Sequence, residues 1–174
     1  MLYNKLKYLI GCLIAAFCLS SCGFTPLYSN NDNSFNNENV KAELAQIKIK
    51  HIADRFGQQI RNQLLDNLTP YGKSRDEKYV LSVHMESEPQ IIEQALREDV
   101  TATRETMKIS MLYTLKQGDE ILLEGDSIAF TSYNILSNPY STIVSKEDAY
   151  KQAAKIIAND ISLRLAAYFY SRTH

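Results

Sequence analysis

The sequence predicts an α+β domain: two helices packed on one face of a four-stranded sheet, in the order β-α-β-β-β-α. Two observations carry this. Apolar and polar residues alternate along three long segments, the period of a strand with one buried face, and apolar residues recur every three or four positions along two others, the period of a helix with one buried stripe. The order of these periods along the chain leaves both helices most simply on one side of a single sheet.

The first strand is "LAQIKIKHI", in which Ile47 and Ile49 share one face and Lys48 and Lys50 the other. In "ADRFGQQIRNQLLDNLTPYG", Asp54 stands where a cap is wanted, Phe56, Ile60, Leu64 and Leu68 form the stripe, and Pro70 ends the helix. "KYVLSVHMESE" alternates with Tyr79, Leu81, Val83 and Met85 inward. "TATRETMKISMLYTLK" is a long third strand with Met107, Ile109, Met111, Tyr113 and Leu115 inward, and "QGDE" makes the hairpin turn. In the fourth strand, "ILLEGDSIAFTSYN", the apolar parity switches from Ile121 and Leu123 to Ile128 and Phe130. A bulge near Gly125 and Asp126 would account for the switch. "ILSNPYSTIV" reads as a loop, after which Ser145 and Asp148 make an S-x-x-[DE] capping pattern. The helix that follows carries Tyr150, Ala154, Ile157, Ile161, Leu165 and Tyr168 as its stripe, broadened by Ala153, Ile156 and Phe169.

Ahead of this domain the composition changes. Lys5 and Lys7 are the only charges before Asp32, and Leu9 to Leu19 is an uncharged, mostly apolar run. That run is shorter than the roughly 20 residues a membrane-spanning helix needs, so it reads as the apolar region of an export signal. It ends in "LSSC", which resembles the lipobox of bacterial lipoproteins. The resemblance implies that residues 1–21 are a signal peptide and that Cys22 is the site of lipid attachment. Two or more acyl chains hold a protein firmly at a membrane without spanning it. Residues 22–39 then form a lipidated N-terminus and a flexible tether, because "SNNDNSFNNEN" has too little apolar surface to fold. Residues 40–174 are long enough for one domain with its own core. Cys12 and Cys18 leave with the signal, so no disulfide framework within the chain is possible.

The chain has 19 basic and 20 acidic residues, a net charge of −1, which gives no broad basic footprint for nucleic acid. It contains no GxSxG, HExxH, CxxC or glycine-rich phosphate loop, and only six glycines in all. No catalytic residue, metal site or cofactor is therefore assigned. His84, Glu86 and Glu88 alternate along one strand, but without converging ligands they read as a solvated face. Arg104, Thr106, Lys108, Ser110 and Thr114 share the face of the third strand opposite its apolar one. A cationic, hydroxyl-rich surface suits a phosphorylated sugar, since guanidinium and ammonium groups meet phosphate while hydroxyls exchange bonds with glycan. The plainer alternative is a solvated face whose cations pair with acids on neighbouring strands.

Three segments, "CGFTPLY", "DRFGQQIRNQLLDNL" and "SYNILSNPYSTIVSKEDAYKQAAKIIANDISLRLAAYF", together resemble the LptE family of lipopolysaccharide-assembly lipoproteins, particularly its α-proteobacterial form. The resemblance spans most of the chain after Cys22. It implies a non-enzymatic component of the outer-membrane lipopolysaccharide translocon, anchored through Cys22 on the periplasmic side. Such a component sits as a plug within the LptD β-barrel, assists assembly of that barrel, and binds lipopolysaccharide. It also implies two helices on a four-stranded sheet. None of the family's lipopolysaccharide-binding basic residues is carried over onto this chain, and Arg104 and Lys108 rest on the face argument alone. The alternative is a lipid-anchored periplasmic carrier of glycan or lipid that acts without a barrel partner.

Overall fold

The long alternation from Met107 to Leu115 builds the spine of the sheet. In the computed structural model, which describes residues 35–70, 72, 76–96 and 102–173, all five inward residues of this run are at most 2% exposed. The export signal, Cys22 and the asparagine-rich stretch up to residue 34 lie outside the described residues. The elements are α1 (Phe35–Ala45), β1 (Ile47–Ile49), α2 (Asp54–Leu68), β2 (Tyr79–Met85), β3 (Gln90–Leu96), β4 (Ala102–Gln117), β5 (Glu120–Asn134) and α3 (Pro139–Thr173). Residues from Glu38 onward form one compact unit.

β4 pairs with β5 along its whole length, from Arg104↔Asn134 to Gln117↔Glu120. Its other edge is shared. β2 takes the later half, from Met85↔Met111 to Val80↔Lys116, and β3 takes the earlier half, from Gln90↔Lys108 to Leu96↔Ala102. β2 and β3 thus follow one another along a single edge, interrupted between Glu86 and Pro89. β1 adds to β2 in parallel through Ile47↔Tyr79 and Ile49↔Leu81, with α2 as the crossover. The sheet is therefore mixed and five-stranded, one strand more than its apolar pattern indicates. β3 escapes that pattern because Ile91 and Ile92 are consecutive, both about half exposed, and sit at a register shift. Backbone pairing to β4 makes the strand, and no buried face marks it in the sequence.

α2 begins and ends where its stripe predicts, and Phe56, Ile60, Leu64 and Leu68 are buried. Asp54 does not cap it, however. Ala53 holds the cap position without a side-chain bond, and Asp54 itself lies at φ 66, in the left-handed region. Gly57 lets the helix close on the preceding chain, since a Cβ there would lie 2.5 Å from Ile52 Cγ2. α1 is an additional helix, beginning at Phe35 within the stretch whose composition suggests coil, and it contributes Val40 and Leu44 to the core.

α3 lies over β5 and against α2. Its inner face is built of Ala149, Ala153, Ala154, Ala158 and Ala166 among Ile157, Ile161 and Leu165, all buried. Small residues let the helix approach the strand, and β5 answers with Ser127, Ala129 and Thr131, also buried. This reverses the parity expected of β5. Ile128 and Phe130 point to the helix-free side and are 37% and 58% exposed. The irregularity lies between the Leu115↔Leu123 and Lys116↔Ile121 pairs, not at Gly125 and Asp126. Gly125 has a different reason to be glycine: a Cβ would meet the Tyr113 hydroxyl at 2.8 Å.

The segment read as a loop before α3 is partly helix. Asn138 Oδ1 accepts from the Tyr140 amide at 3.0 Å, and its carbonyl accepts from the Thr142 amide at 3.2 Å. Pro139 then occupies the first helical position, where its missing N–H costs nothing. Ser145, the sequence candidate for a cap, accepts instead from the Asn134 amide at 3.2 Å and ties the end of β5 to the helix. Ile156 departs from the expected stripe and is 43% exposed.

Candidate functional site: the helix-free face of the sheet

α2 and α3 cover one side of the sheet, so residues that alternate with the buried ones stand on the other. On β4 these are Arg104, Thr106, Lys108, Ser110, Leu112, Thr114 and Lys116. The register sets their neighbours: Arg104 faces Asn134, Thr106 faces Ser132, Lys108 faces Phe130, and Ser110 faces Ile128. On the other edge Lys108 faces Gln90 and Thr106 faces Glu93. The Thr106 and Ser132 hydroxyls share a hydrogen bond of 2.9 Å.

A pocket of about 250 Å³ opens on this face, lined by Glu86, Ser87, Gln90, Lys108 and Ser110. Its wall is fixed where β2 breaks off. The Glu86 amide donates to the Ser110 carbonyl at 3.1 Å, and the Ser110 hydroxyl donates to Glu86 Oε2 at 2.5 Å. Ser110 is buried, and its bond holds the carboxylate against the sheet. Lys108 is half-buried and Arg104 exposed. Among the described residues neither forms an ion pair, so the expected pairing with acids on adjacent strands does not occur. The two cations are four residues apart on one strand, about 13 Å at the usual rise. Acids gather at the other end of the same face, where Leu112 faces Asp126 and Thr114 faces Glu124. Exposed Phe130 and Ile128 lie beside Lys108 and Ser110. The face offers cations, hydroxyls and apolar surface together, a combination suited to an anionic amphiphile.

His84 also stands on this face, opposite Leu112, but Glu86 and Glu88 lie beyond the end of β2. No group of three potential metal ligands forms among the described residues. Arg55 and Arg164 are engaged elsewhere, with Glu147 at 2.8 Å and Asp160 at 3.0 Å. The alternation of β4 brought Arg104 and Lys108 to one face, as read from the sequence. Glu86, Ser87, Gln90 and Phe130 were not legible as their neighbours, because the strand break and the parity of β5 decide that proximity.

On the helix side a polar cluster forms around buried Tyr133. Glu105 has the inward parity of Met107 and faces Tyr133 across β5. The Tyr133 hydroxyl donates to Glu105 Oε2, while Gln94 Nε2 donates to Glu105 Oε1 at 2.8 Å. Burial, and then the bond to Glu105, pushes the Tyr133 phenol up to about 12. Lys146 Nζ stands 5.7 Å from the centre of the Tyr133 ring. An acid at an inward position was the available sequence signal for this cluster.

A helical layer on one side of a mixed five-stranded sheet, with the other face left open, defines an α+β domain with one uncovered sheet face. The model of the LptE family, described as lipopolysaccharide-assembly, matches residues 33–165, and the chain belongs to that family. Its role accordingly lies in lipopolysaccharide assembly. Solved structures show the same fold. A lipoprotein from Caulobacter crescentus superposes with a TM-score of 0.62 at 21% identity, over 75% of this chain and 95% of its own. A minor lipoprotein from Acinetobacter baumannii gives 0.56 at 15% identity, over 70% and 90%. Rare lipoprotein B from Shewanella oneidensis gives 0.56 at 12%, over 74% and 98%. No curated protein sequence matches the chain. Among the described residues no helix is long and apolar enough to cross a membrane.

Proposed function

We propose that this chain is a non-catalytic lipoprotein of the outer membrane, anchored through Cys22, that seats in an LptD-type β-barrel, assists its assembly and binds lipopolysaccharide on the helix-free face of its sheet. Family membership supports the setting. The observation that carries the binding mode is the pair of cations, Arg104 and Lys108, on one face without an ion pair among the described residues, with exposed Phe130 facing Lys108. Phosphate groups of the lipid meet the cations, glycan hydroxyls meet Thr106, Ser132 and the rim of the Lys108 pocket, and Phe130 and Ile128 give an apolar shelf. No chemical step is required of the protein, which positions the lipid by complementary charge and shape.

Replacing both Arg104 and Lys108 by Glu tests the reading. Charge-assisted bonds contribute about 1.5–3 kcal/mol each, so lipopolysaccharide affinity measured by titration should fall by about two to four orders of magnitude. A cooperative thermal transition checks that the variant folds, since Lys108 is half-buried and its glutamate replacement stands in the pocket that Glu86 lines. Undiminished binding in a folded variant would remove these residues from the site. Mild-detergent isolation of the tagged chain from outer membranes tests the partner: a large β-barrel protein in stoichiometric amount is expected. Recovery of the lipoprotein alone, under conditions that keep other barrel complexes intact, would favour an independent carrier.

A further inference from the structure

The apolar stripe of α3 is longer than the sheet beneath it. Ser145 Oγ accepts from the amide of Asn134, the last residue of β5, so the helical turns ahead of Ser145 project beyond the end of that strand. Over the sheet the inner line of the helix runs through Ala154, Ile157 and Ile161, all buried. Continued backward at the same three- and four-residue steps, through Tyr150 and Glu147, it reaches Ile143 and then Tyr140, with Val144 four residues after Tyr140. Yet Tyr140 is 72% exposed and Ile143 58%, and Val144 and Leu136 are exposed as well. Four large apolar side chains stand uncovered at one end of the molecule.

The connection itself holds this patch in shape. Thr142 Oγ1 accepts from the Leu136 amide at 2.9 Å and donates to the Leu136 carbonyl at 3.2 Å, while Asn138 Oδ1 caps the first turn through the Tyr140 amide. These bonds engage polar groups of the connection with one another, so what it turns outward is hydrocarbon. Apolar surface gathered in this way marks a site of contact.

The position of the patch defines what it contacts. Arg104 faces Asn134, the Ile135 amide donates to the Thr103 carbonyl at 2.9 Å, and Leu136 follows directly. The patch therefore lies beside Arg104, just past the end of the open face. From Ser127 to Lys146 the chain has no acidic residue, and Glu147, the next, is paired with Arg55. An apolar patch next to a cation and free of acids in its own segment fits the junction between the charged head and the hydrocarbon of an anionic amphiphile.

We propose that this overhang of α3 holds acyl chains of the lipopolysaccharide whose phosphates stand on Arg104 and Lys108. The site rests on that reading of the open face and extends it past the end of β5: one lipid is held by its head on the sheet and by its chains on the helix.

Benzoylphenylalanine, which inserts into neighbouring C–H bonds under light, is placed at Tyr140 or at Phe130 of the full chain in cells. Both positions are exposed and aromatic, so the probe leaves the fold intact. Lipopolysaccharide adducts are expected at both, with fragmentation locating the Tyr140 adduct on an acyl chain. Ile143→Gln should lower the Tyr140 adduct at least about fivefold, as loss of one large apolar contact requires, and lower the Phe130 adduct less. A Phe130 adduct without a Tyr140 adduct would overturn this inference alone and leave lipopolysaccharide on the open face. Absence of both would overturn the two together. A Tyr140 adduct made instead with a phospholipid, a barrel protein or a second copy of the chain would give the patch another occupant, and would likewise overturn the proposal.

Discussion

Tyr133 and Glu105 face one another across β4 and β5, and their bond has a consequence for pH. The phenol is raised from its usual 10 to about 12, chiefly by burial, so the folded chain keeps a proton that the unfolded chain releases earlier. A raised value favours the neutral form in the native state. The stability it contributes is complete below pH 10 and is lost as pH rises toward 12. Two units correspond to a loss on the order of 2–3 kcal/mol across that window. Burial raises Tyr79 and Tyr113 as well, which steepens the same trend. Denaturant unfolding between pH 9 and pH 12 (about the titration range of phenols) should show this fall, and Tyr133→Phe should make it shallower. An equally steep fall in Tyr133→Phe would assign it to other groups. At this scale the sequence was informative about direction and uninformative about partners. Alternation put Arg104 and Lys108 outward and Glu105 inward, but the bond from Ser110 to Glu86 depends on where β2 breaks off, which no local pattern encodes.

Elements whose one face is buried were legible, and those made by other forces were not. α2, β2 and β4 carry clean periods because hydrophobic burial selects their residues. β3 is held by backbone bonds to β4 with exposed isoleucines, so periodicity has nothing to register there. β5 misleads because its buried face is small rather than apolar: Ser127, Ala129 and Thr131 admit α3 closely, and the larger Ile128 and Phe130 take the open side. The start of α3 was misplaced by two competing cap signals. Asn138 followed by Pro139 is the stronger, since the asparagine side chain and the proline ring both favour a helix start, whereas Ser145 is already inside the helix and bound to β5. Asn138→Ala should therefore destabilise the protein by about 1 kcal/mol, measured by thermal or denaturant unfolding. The loss should appear as earlier amide exchange in residues 139–145, with the rest of α3 unaffected. A cap truly at Ser145 would leave Asn138→Ala neutral.

On the scale of the whole molecule the sheet separates two tasks. Its helix side is closed around Leu81, Ile109, Leu115, Ile157 and Ile161, each fully buried. Its open side carries Arg104 and Lys108 toward the start of β4, with Glu93 and Glu86 nearby, and Glu124 and Asp126 toward the hairpin at Gly118, whose φ of 59 makes the tight turn possible. A lipid bound to such a face is held by charges in two different environments. Arg104 is exposed, so its attraction for phosphate is screened by salt. Lys108 is half-buried in its pocket, where the field of the solvent ions penetrates less. The Debye length falls from about 8 Å at physiological ionic strength to about 3 Å at 1 M, enough to suppress the outer contact while sparing the inner one. Lipopolysaccharide titration of Arg104→Ala and Lys108→Ala at both salt concentrations should therefore diverge. The defect of Arg104→Ala should shrink toward nothing at high salt, and that of Lys108→Ala should persist. If both defects vanish together, the lysine behaves as a second solvated charge and the pocket beside Ser110 does not enclose the phosphate.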